Sequence, residues 1–237
     1  MAVHPGPGAI MPTTLSLPQT DQSPGARLPD IEPVRLLARA DAFDSPDWIF
    51  EPGYDGFRAL LYASGSTPEI RTLQQAGFEG APELRERMAR VIGRREAILD
   101  GLIVSLDAKG KPSLRDLLRG RGFLAFAASD LLWLDGHDLR PLPLTERKSR
   151  LATLLPADTG PLYKIFSLEE HGRALFETAK KLDLAGIVAK RKREPYGPGT
   201  VWYGIRNGTH SAADGGALTS ATLPRSHAGA RVRRAPA

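Results

Sequence analysis

The sequence predicts an α+β fold in which antiparallel sheets are flanked by helices. Short aromatic and aliphatic runs of strand character alternate along the chain with segments whose apolar residues recur every three or four positions. Asp-Gly pairs lie within or beside the strand-like runs, where they favour tight turns. The two ends of the 237-residue chain lack any such periodicity. One foldable unit is therefore expected at 31–207.

The first predicted elements are two strands followed by a helix. Residues 48–51 and 57–62 are strand-like and are separated by a turn at Tyr54-Asp55-Gly56. Taken alone, Asp55-Gly56 is typical of a hairpin. Pro82 suits the first position of a helix, because the N–H that proline lacks would have no partner there. The apolar face of this helix would comprise Leu84, Met88 and Val91.

The later elements follow the same alternation. Residues 97–106 are predicted as two strands joined at Asp100-Gly101, and 123–134 and 185–190 as one strand each. Ser113 followed by Asp116, and Ser167 followed by Glu170, are each typical of a helix N-terminus. The second of these helices would carry Leu168, Leu175 and Ala179.

Composition favours a soluble, cytoplasmic protein without membrane association. Hydrophobic residues make up 41% of the chain, and no apolar run approaches the roughly 18 residues that cross a bilayer. The N-terminus has no secretory signal pattern. Zero cysteines exclude disulfides and thiolate metal sites. The five histidines show no metal-ligand spacing and are all expected at the surface: His4, His137, His171, His210 and His227.

Both termini are expected to be disordered tails, at 1–30 and 208–237, because they are rich in small and turn-forming residues. The net charge is +5, and the C-terminal tail is basic. Its charges are Arg225, Arg231, Arg233 and Arg234 against Asp214. This tail could be a solvated spacer or an electrostatic contact with nucleic acid. The charge of the body between the tails is compatible with DNA binding but would not by itself indicate it.

Seven short motifs follow one another along the foldable unit. Each is unspecific when taken alone, and the information lies in their order and spacing. In chain order they are Glu51-Pro52-Gly53-Tyr54-Asp55-Gly56-Phe57-Arg58, Leu99-Asp100-Gly101-Leu102-Ile103-Val104, Ser129-Asp130-Leu131-Leu132-Trp133-Leu134-Asp135-Gly136, Leu139-Arg140-Pro141-Leu142-Pro143-Leu144, Glu146-Arg147-Lys148, Ala185-Gly186-Ile187-Val188-Ala189-Lys190 and Trp202-Tyr203-Gly204-Ile205-Arg206.

This series resembles the motifs of the covalent nucleotidyltransferases, and it is most similar to bacterial ATP-dependent DNA ligases of the end-joining type. The resemblance runs from about residue 33 to 207. It implies the nucleotidyltransferase fold of DNA ligases and mRNA-capping enzymes, which is ATP-grasp-like, with antiparallel sheets flanked by helices. It also implies ATP and Mg²⁺ as cofactors, DNA as substrate, and a role in DNA repair or recombination.

In that family a lysine in the motif Lys-x-Asp-Gly-x-Arg attacks the α-phosphate of ATP and holds AMP as a phosphoramidate. An amine becomes a nucleophile when burial or neighbouring cations lower its pKa. Here the lysine position is occupied by Gly53, and the first lysine of the chain is Lys109. Arg58 cannot replace it, because a guanidinium stays protonated. We therefore assign no catalytic residue.

Other family positions that carry charge have also changed. Leu102 stands where the family has a glutamate for the ribose, and Ala185 where a glutamate helps to hold the metal. Gly204 and Arg206 replace the two lysines of the last motif, and Ser129 replaces the aromatic residue that stacks on adenine. We therefore expect no metal ligands, and the resemblance leaves the binding of ATP and Mg²⁺ open.

Other positions match the family, namely Glu51, Asp55, Gly56, Arg58, Asp100, Gly101, Gly186, Lys190 and Trp202. Glu51, Arg58 and Lys190, together with Arg206, are candidate weak nucleotide contacts. Arg58 could equally pair with Asp55 or Glu51 along a strand. Lys190 opens the run Lys190-Arg191-Lys192-Arg193, which could follow a DNA backbone or be a solvated exit from a strand.

The sequence therefore predicts a DNA ligase-like protein that is catalytically silent, with DNA and a repair protein as its expected partners. One alternative is an active DNA ligase or nucleotidyltransferase that uses an unexpected nucleophile, such as Lys190, or a partner subunit. Another is a paralogue without a selected function. Family ligases carry a β-barrel domain after the last motif. About 30 residues follow Arg206, so no C-terminal OB barrel is expected.

Overall fold

The computed structural model describes residues 28–73, 82–156 and 160–211. Over these residues it has two β-sheets and four helices. The predicted tails lie outside the described residues except for 28–30 and 208–211, and the chain is described to Ser211, four residues beyond the expected boundary at 207. Within the described segments, no helix has the length and apolar character that would let it cross a membrane.

The first sheet gathers strands from the beginning and the end of the chain. Its strands are β1 (Arg35–Arg39), β2 (Ser45–Gly53), β9 (Leu168–Glu170), β10 (Gly186–Arg191) and β11 (Val201–Arg206). They lie in the order β1-β11-β10-β2-β9, and all neighbours are antiparallel except the parallel pair β1 and β11.

The second sheet is built from the middle of the chain. Its strands are β3 (Phe57–Ala63), β4 (Glu69–Thr72), β5 (Ala97–Leu106), β6 (Phe123–Leu134), β7 (His137–Asp138) and β8 (Leu162–Lys164). Five of them form the antiparallel order β4-β3-β5-β6-β7, and β8 pairs in parallel with β6. The predicted α+β class with antiparallel sheets is confirmed.

The helices cover the outer faces of the two sheets. They are α1 (Pro82–Ile92), α2 (Leu114–Leu118), α3 (Leu144–Leu154) and α4 (Gly172–Lys181). The first three pack on the second sheet, and α4 packs on the first. The two sheets face each other through an apolar layer that includes Leu60, Leu132 and Trp202. The side chains of this layer are therefore shielded from water.

Several predicted boundaries are confirmed, and two details are wrong. The strand at 123–134 and the helix start at Pro82 agree with the structure, and the Ser113 hydroxyl caps α2 by accepting from the Asp116 N–H at 3.2 Å. In α1, however, Val91 is 43% exposed and Ile92 is buried in its place. The pattern at Ser167 was also misinterpreted, since Leu168–Glu170 pairs with β2 as β9 and α4 begins only at Gly172.

Two of the Asp-Gly pairs have different roles from those predicted. Asp55-Gly56 is no hairpin, because it carries the chain from the first sheet to the second, and Asp100-Gly101 lies within the continuous strand β5. Their glycines allow close packing instead. A Cβ at Gly56 would lie 2.5 Å from the Ile103 carbonyl oxygen, and one at Gly101 would lie 2.3 Å from that of Ala127. Asp135-Gly136 does form a turn, with φ of 46° and 82°.

Replacing Gly101 with alanine is expected to destabilise the protein by about 1–3 kcal/mol, because the added methyl group would press against backbone that cannot move cheaply. Urea denaturation monitored by circular dichroism measures the loss. Gly197→Ala is the matched control, since nothing lies within 4 Å of its added Cβ. Equal stability of the two variants would contradict this explanation of Gly101.

Candidate functional site

A narrow cleft of about 40 Å³ opens between the two sheets. Its walls include five residues selected from the sequence, namely Glu51, Gly53, Arg58, Leu102 and Lys190. Ala185, Gly204 and Arg206 are not among the residues that line it. The fold therefore brings most of the candidate positions together and leaves the others on the surrounding first sheet.

Glu51 is a buried acid in the wall of the cleft. It lies in β2 opposite Val188 of β10 and is 2% exposed. Its carboxylate accepts from the ammonium groups of Lys148 and Lys190, the latter at 2.8 Å, and from the Ser129 hydroxyl at 2.8 Å. Burial alone would raise the pKa of Glu51, but the two lysine charges outweigh this and lower it. The carboxylate is thus held ionised as the centre of a buried charge cluster.

Lys190 is wholly buried, so neither interpretation of the basic run, a contact with a DNA backbone or a solvated strand exit, holds for this residue. Its ammonium nitrogen donates to Glu51 and to the Ser129 hydroxyl, and it lies 3.7 Å from the ring centroid of Trp202. Burial lowers the pKa of Lys190 to about 8, although Glu51 opposes this shift. The amine therefore has the pKa of a potential nucleophile and the surroundings of a structural ion pair.

Ser129 reaches this cluster because of an irregularity in β6. Asp100 pairs with Asp130 and Gly101 with Ala128, so Ser129 is an extra residue on β6 at this point. Such a bulge re-aims a side chain within a strand. Ser129 is 6% exposed, and its hydroxyl lies between Glu51 and Lys190. The position that the resemblance assigns to an aromatic stacking residue instead belongs to the charge cluster.

Sequence reasoning missed the role of Lys148, although its motif was recognised. Lys148 lies in the first turns of α3, next to Arg147, and its ammonium also donates to the Ser129 carbonyl at 3.2 Å. Arg147 holds the helix in place through two hydrogen bonds to the buried carboxylate of Asp130, at 2.9 and 2.8 Å. The adjacent Arg-Lys pair thus fixes α3 to β6 and supplies the second cation to Glu51.

Arg58 pairs with Asp100 rather than with Asp55 or Glu51, so both predicted partners are wrong. Its guanidinium donates twice to the Asp100 carboxylate, at 3.1 and 2.7 Å, and once to the Val34 carbonyl. Tyr196 donates a further hydrogen bond to Asp100 at 2.7 Å. Burial opposes the charge on Arg58, but Asp100 outweighs it and raises the pKa of the guanidinium. The guanidinium of Arg58 and the carboxylate of Asp100 are therefore both occupied by partners within the protein.

The position of the missing lysine is at the end of β2. Gly53 pairs with Gly186 of β10, which in turn pairs with Arg206 of β11. Arg206 is exposed, whereas Ala185 beside it is 5% exposed and accepts a backbone hydrogen bond from Asn207. Three of the family motifs thus meet at this end of the sheet. Arg206 is the exposed cation there, and a single strand, β10, separates it from Gly53.

One histidine departs from the expectation that all are at the surface. His210 is 7% exposed, and its ring nitrogens lie 2.7 Å from an Asp55 carboxylate oxygen and 3.0 Å from one of Asp183. Of the others, His171 is exposed and His137 half-buried, while His4 and His227 lie outside the described residues. Sequence spacing could not reveal the pairing, because Asp55 is 155 residues away.

The residues of the cleft do not fit a bound Mg²⁺. Its two carboxylates, Glu51 and Asp100, already compensate Lys148, Lys190 and Arg58. Among the described residues, no group of three or more histidine and acidic side chains could hold a metal ion. Phosphates would likewise meet cations that are already paired.

Comparison with known proteins places this architecture in a family. A family model described as an ATP-dependent DNA ligase domain matches residues 36–205. The chain is 30% identical over 177 residues to the multifunctional non-homologous end joining protein LigD of Mycolicibacterium smegmatis, covering 73% of this chain and 23% of that protein. It is 26% identical to the SPbeta prophage-derived DNA ligase-like protein LigB of Bacillus subtilis, covering 70% and 62%.

Solved structures of DNA ligases resemble this chain as well. A mycobacterial DNA ligase D complexed with ATP and MES has a TM-score of 0.66 at 30% identity, covering 74% of this chain and 60% of that one. Chlorella virus DNA ligase-adenylate, with a TM-score of 0.53 at 11% identity and covering 74% and 69%, shares the fold. The chain spans about a quarter of the length of the LigD protein that it matches.

Replacing Glu51 with glutamine is expected to destabilise the protein by about 3–5 kcal/mol, because two buried ammonium groups would lose their counter-charge. Chemical denaturation at pH 7 measures the loss. The control is Glu177→Gln, which breaks an exposed pair with Lys180 on α4 and is expected to cost at most about 1 kcal/mol. Similar losses in the two variants would show that the charge cluster is not a stabilising centre.

Proposed function

The chain belongs to the ATP-dependent DNA ligase domain family, and from this premise we propose that it is a DNA ligase-like protein that binds DNA without adenylating itself. The observation that carries the proposal is Gly53, which lines the cleft at the position of the family nucleophile and offers no amine. A glycine cannot form the phosphoramidate that holds AMP. The chain matches only about a quarter of the LigD protein, and DNA binding without ligation is what we propose for it.

The neighbouring amines support the proposal. Lys148 and Lys190 are the lysines that contact Glu51, and both are bound to that buried carboxylate. To attack a phosphate, either would have to give up its ion pair with Glu51 and leave that buried carboxylate with one cation instead of two, which is unfavourable. Leu102, which lines the same cleft, supplies no polar group to a ribose.

DNA as the partner is supported by charge and by kinship. The net charge is +5. Two exposed arginines belong to the first sheet or its connections: Arg206 ends β11, and Arg193 lies two residues after the end of β10. Arginine side chains bind phosphate backbones largely through charge and hydrogen bonds. The relatives are named as end-joining and ligase proteins. A role in DNA repair and a protein partner there are part of the same proposal.

One observation favours a second candidate function, an active nucleotidyltransferase. Lys190 lines the cleft together with Gly53, and burial lowers its pKa to about 8, which brings part of the amine to its nucleophilic form near neutral pH. In this case Lys190 would attack the α-phosphate of ATP and pyrophosphate would leave. Its engagement with Glu51 and Ser129 weighs against this candidate.

The two candidates differ in a labelling experiment. The full chain, incubated with α-³²P-labelled ATP and Mg²⁺, is expected to show no covalently labelled band after denaturing electrophoresis, because Gly53 supplies no amine and Lys148 and Lys190 are paired with Glu51. A labelled band would overturn the proposed silence. Loss of that band in Lys190→Arg, with retention in Lys164→Arg, would assign the nucleophile to Lys190.

Restoring the lysine alone is expected to be insufficient. Gly53→Lys should remain unlabelled in the same assay, since Leu102, Ala185 and Gly204 still lack the charged groups of the family. Circular dichroism of the variant establishes that it folds. Robust labelling of a folded Gly53→Lys protein would show that the other losses matter less than proposed.

DNA binding is expected to depend on salt and on Arg206. A duplex mobility shift should weaken steeply between 50 and 200 mM salt, and Arg206→Gln should reduce the slope of log K against log salt by about 1. Arg90→Gln is the matched control. Arg90 is an exposed arginine on α1, a helix that packs on the second sheet and not on the first. Absence of a shift at low salt would refute the DNA-binding part of the proposal.

A further inference from the structure

A buried histidine fastens the last described residues onto the crossover between the two sheets. The His210 side chain is 5% exposed. Its Nε2 lies 2.7 Å from Asp55 Oδ2, and its Nδ1 lies 3.0 Å from Asp183 Oδ1. Asp55 belongs to the crossover from β2 to β3, and Asp183 to the turn between α4 and β10. One side chain thus joins three separate parts of the chain.

The segment 207–211, here called the clasp, is held at both ends. At its start, Asn207 donates its backbone N–H to the Ala185 carbonyl at 2.9 Å and its side-chain amide to the Leu184 carbonyl at 3.0 Å. At its end, Ser211 donates its N–H to Asp183 at 2.8 Å and its hydroxyl at 2.6 Å. Lys111 also donates to Asp183, at 2.8 Å. The clasp is therefore a built contact between defined groups.

The protonation state of His210 decides whether this contact is satisfied. Both ring nitrogens face oxygens of carboxylates, which accept hydrogen bonds, and a neutral imidazole has a single N–H. Only the imidazolium can donate to Asp55 and Asp183 together. Burial would lower the pKa of His210, but the hydrogen bonds to the two carboxylates outweigh it and raise the pKa. The hydrogen bond from Lys111 lowers the pKa of Asp183, which keeps that acceptor ionised.

Asp55 is the partner that depends most on this proton. Its Oδ1 atom is buried and has no hydrogen-bond partner among the described residues, so His210 is what compensates this carboxylate. A buried carboxylate that loses its compensating charge is strongly destabilised. Asp55 directly follows Pro52, Gly53 and Tyr54, which line the cleft. Release of His210 would therefore loosen a wall of the cleft.

We propose that His210 is a pH-sensitive switch that holds the clasp closed, and the wall of the cleft ordered, while its ring is protonated. Because the pKa is raised above its unfolded value of about 6.5, the stabilisation by the clasp is fully present below that pH. It is lost as the pH rises through the folded-state pKa. The charged groups that set the switch are Asp55 on the crossover, Asp183 on the α4–β10 turn, and Lys111 behind Asp183.

The first measurement is an NMR titration of the full chain labelled at histidine Cε1. His210 should titrate above the value of about 6.5 that an unperturbed histidine has, and the assignment comes from the spectrum of His210→Asn. Titration of His210 at or below that value would overturn the proposal, because the two carboxylates would then not be holding the proton.

The second measurement is hydrogen exchange of residues 52–57 by mass spectrometry, corrected for intrinsic rates, across the His210 midpoint. Protection in the wild type should fall by tenfold or more as His210 deprotonates. His171→Gln is the matched control and should behave as the wild type, while His210→Asn should show low protection that does not change with pH. Constant protection in the wild type across the midpoint would refute the switch, whether or not His210→Asn folds.

Discussion

The ionised carboxylate of Glu51 is the constraint on which the centre of the structure depends. It lies on a strand of the first sheet, and its partners come from α3, from β10 and from the bulge of β6 in the second sheet. A buried charge tolerates only a compensated environment, so these elements must approach in one arrangement. Arg58–Asp100 and Arg147–Asp130 are two further ion pairs in which a buried carboxylate is compensated by an arginine. The space between the sheets is thus organised by ion pairs within an apolar layer.

The same cluster supports the proposal that this chain keeps the fold of its family without self-adenylation. A nucleotidyltransferase needs cations that are free to meet a polyanionic phosphate and an amine that is free to attack it. Here the buried cations are compensated by acids of the chain itself, and Gly53 supplies no amine. The charges that remain stabilise the fold.

Ambiguous local signals account for the errors of prediction. Asp55-Gly56 and Asp100-Gly101 match the pattern of tight turns, yet their glycines serve the close approach of neighbouring backbone, because a Cβ would overlap Ile103 or Ala127. Ser167 and Glu170 match a helix cap, but the backbone between them pairs with the edge of β2. In each case the local pattern is compatible with two structures, and contacts with residues distant in sequence select one of them.

By itself, the sequence determined the α+β class, the long strand at 123–134, the helix starts at Pro82 and Ser113, and the kinship with DNA ligases, because these follow from periodicity, capping and ordered motifs. It also located Gly53 and the candidate residues that line the cleft. Only the tertiary structure decided that Lys190 is buried on Glu51, that Arg58 pairs with Asp100, and that His210 closes on Asp55. Charge pairing between buried side chains depends on which strands become neighbours, and that neighbourhood is created by the fold.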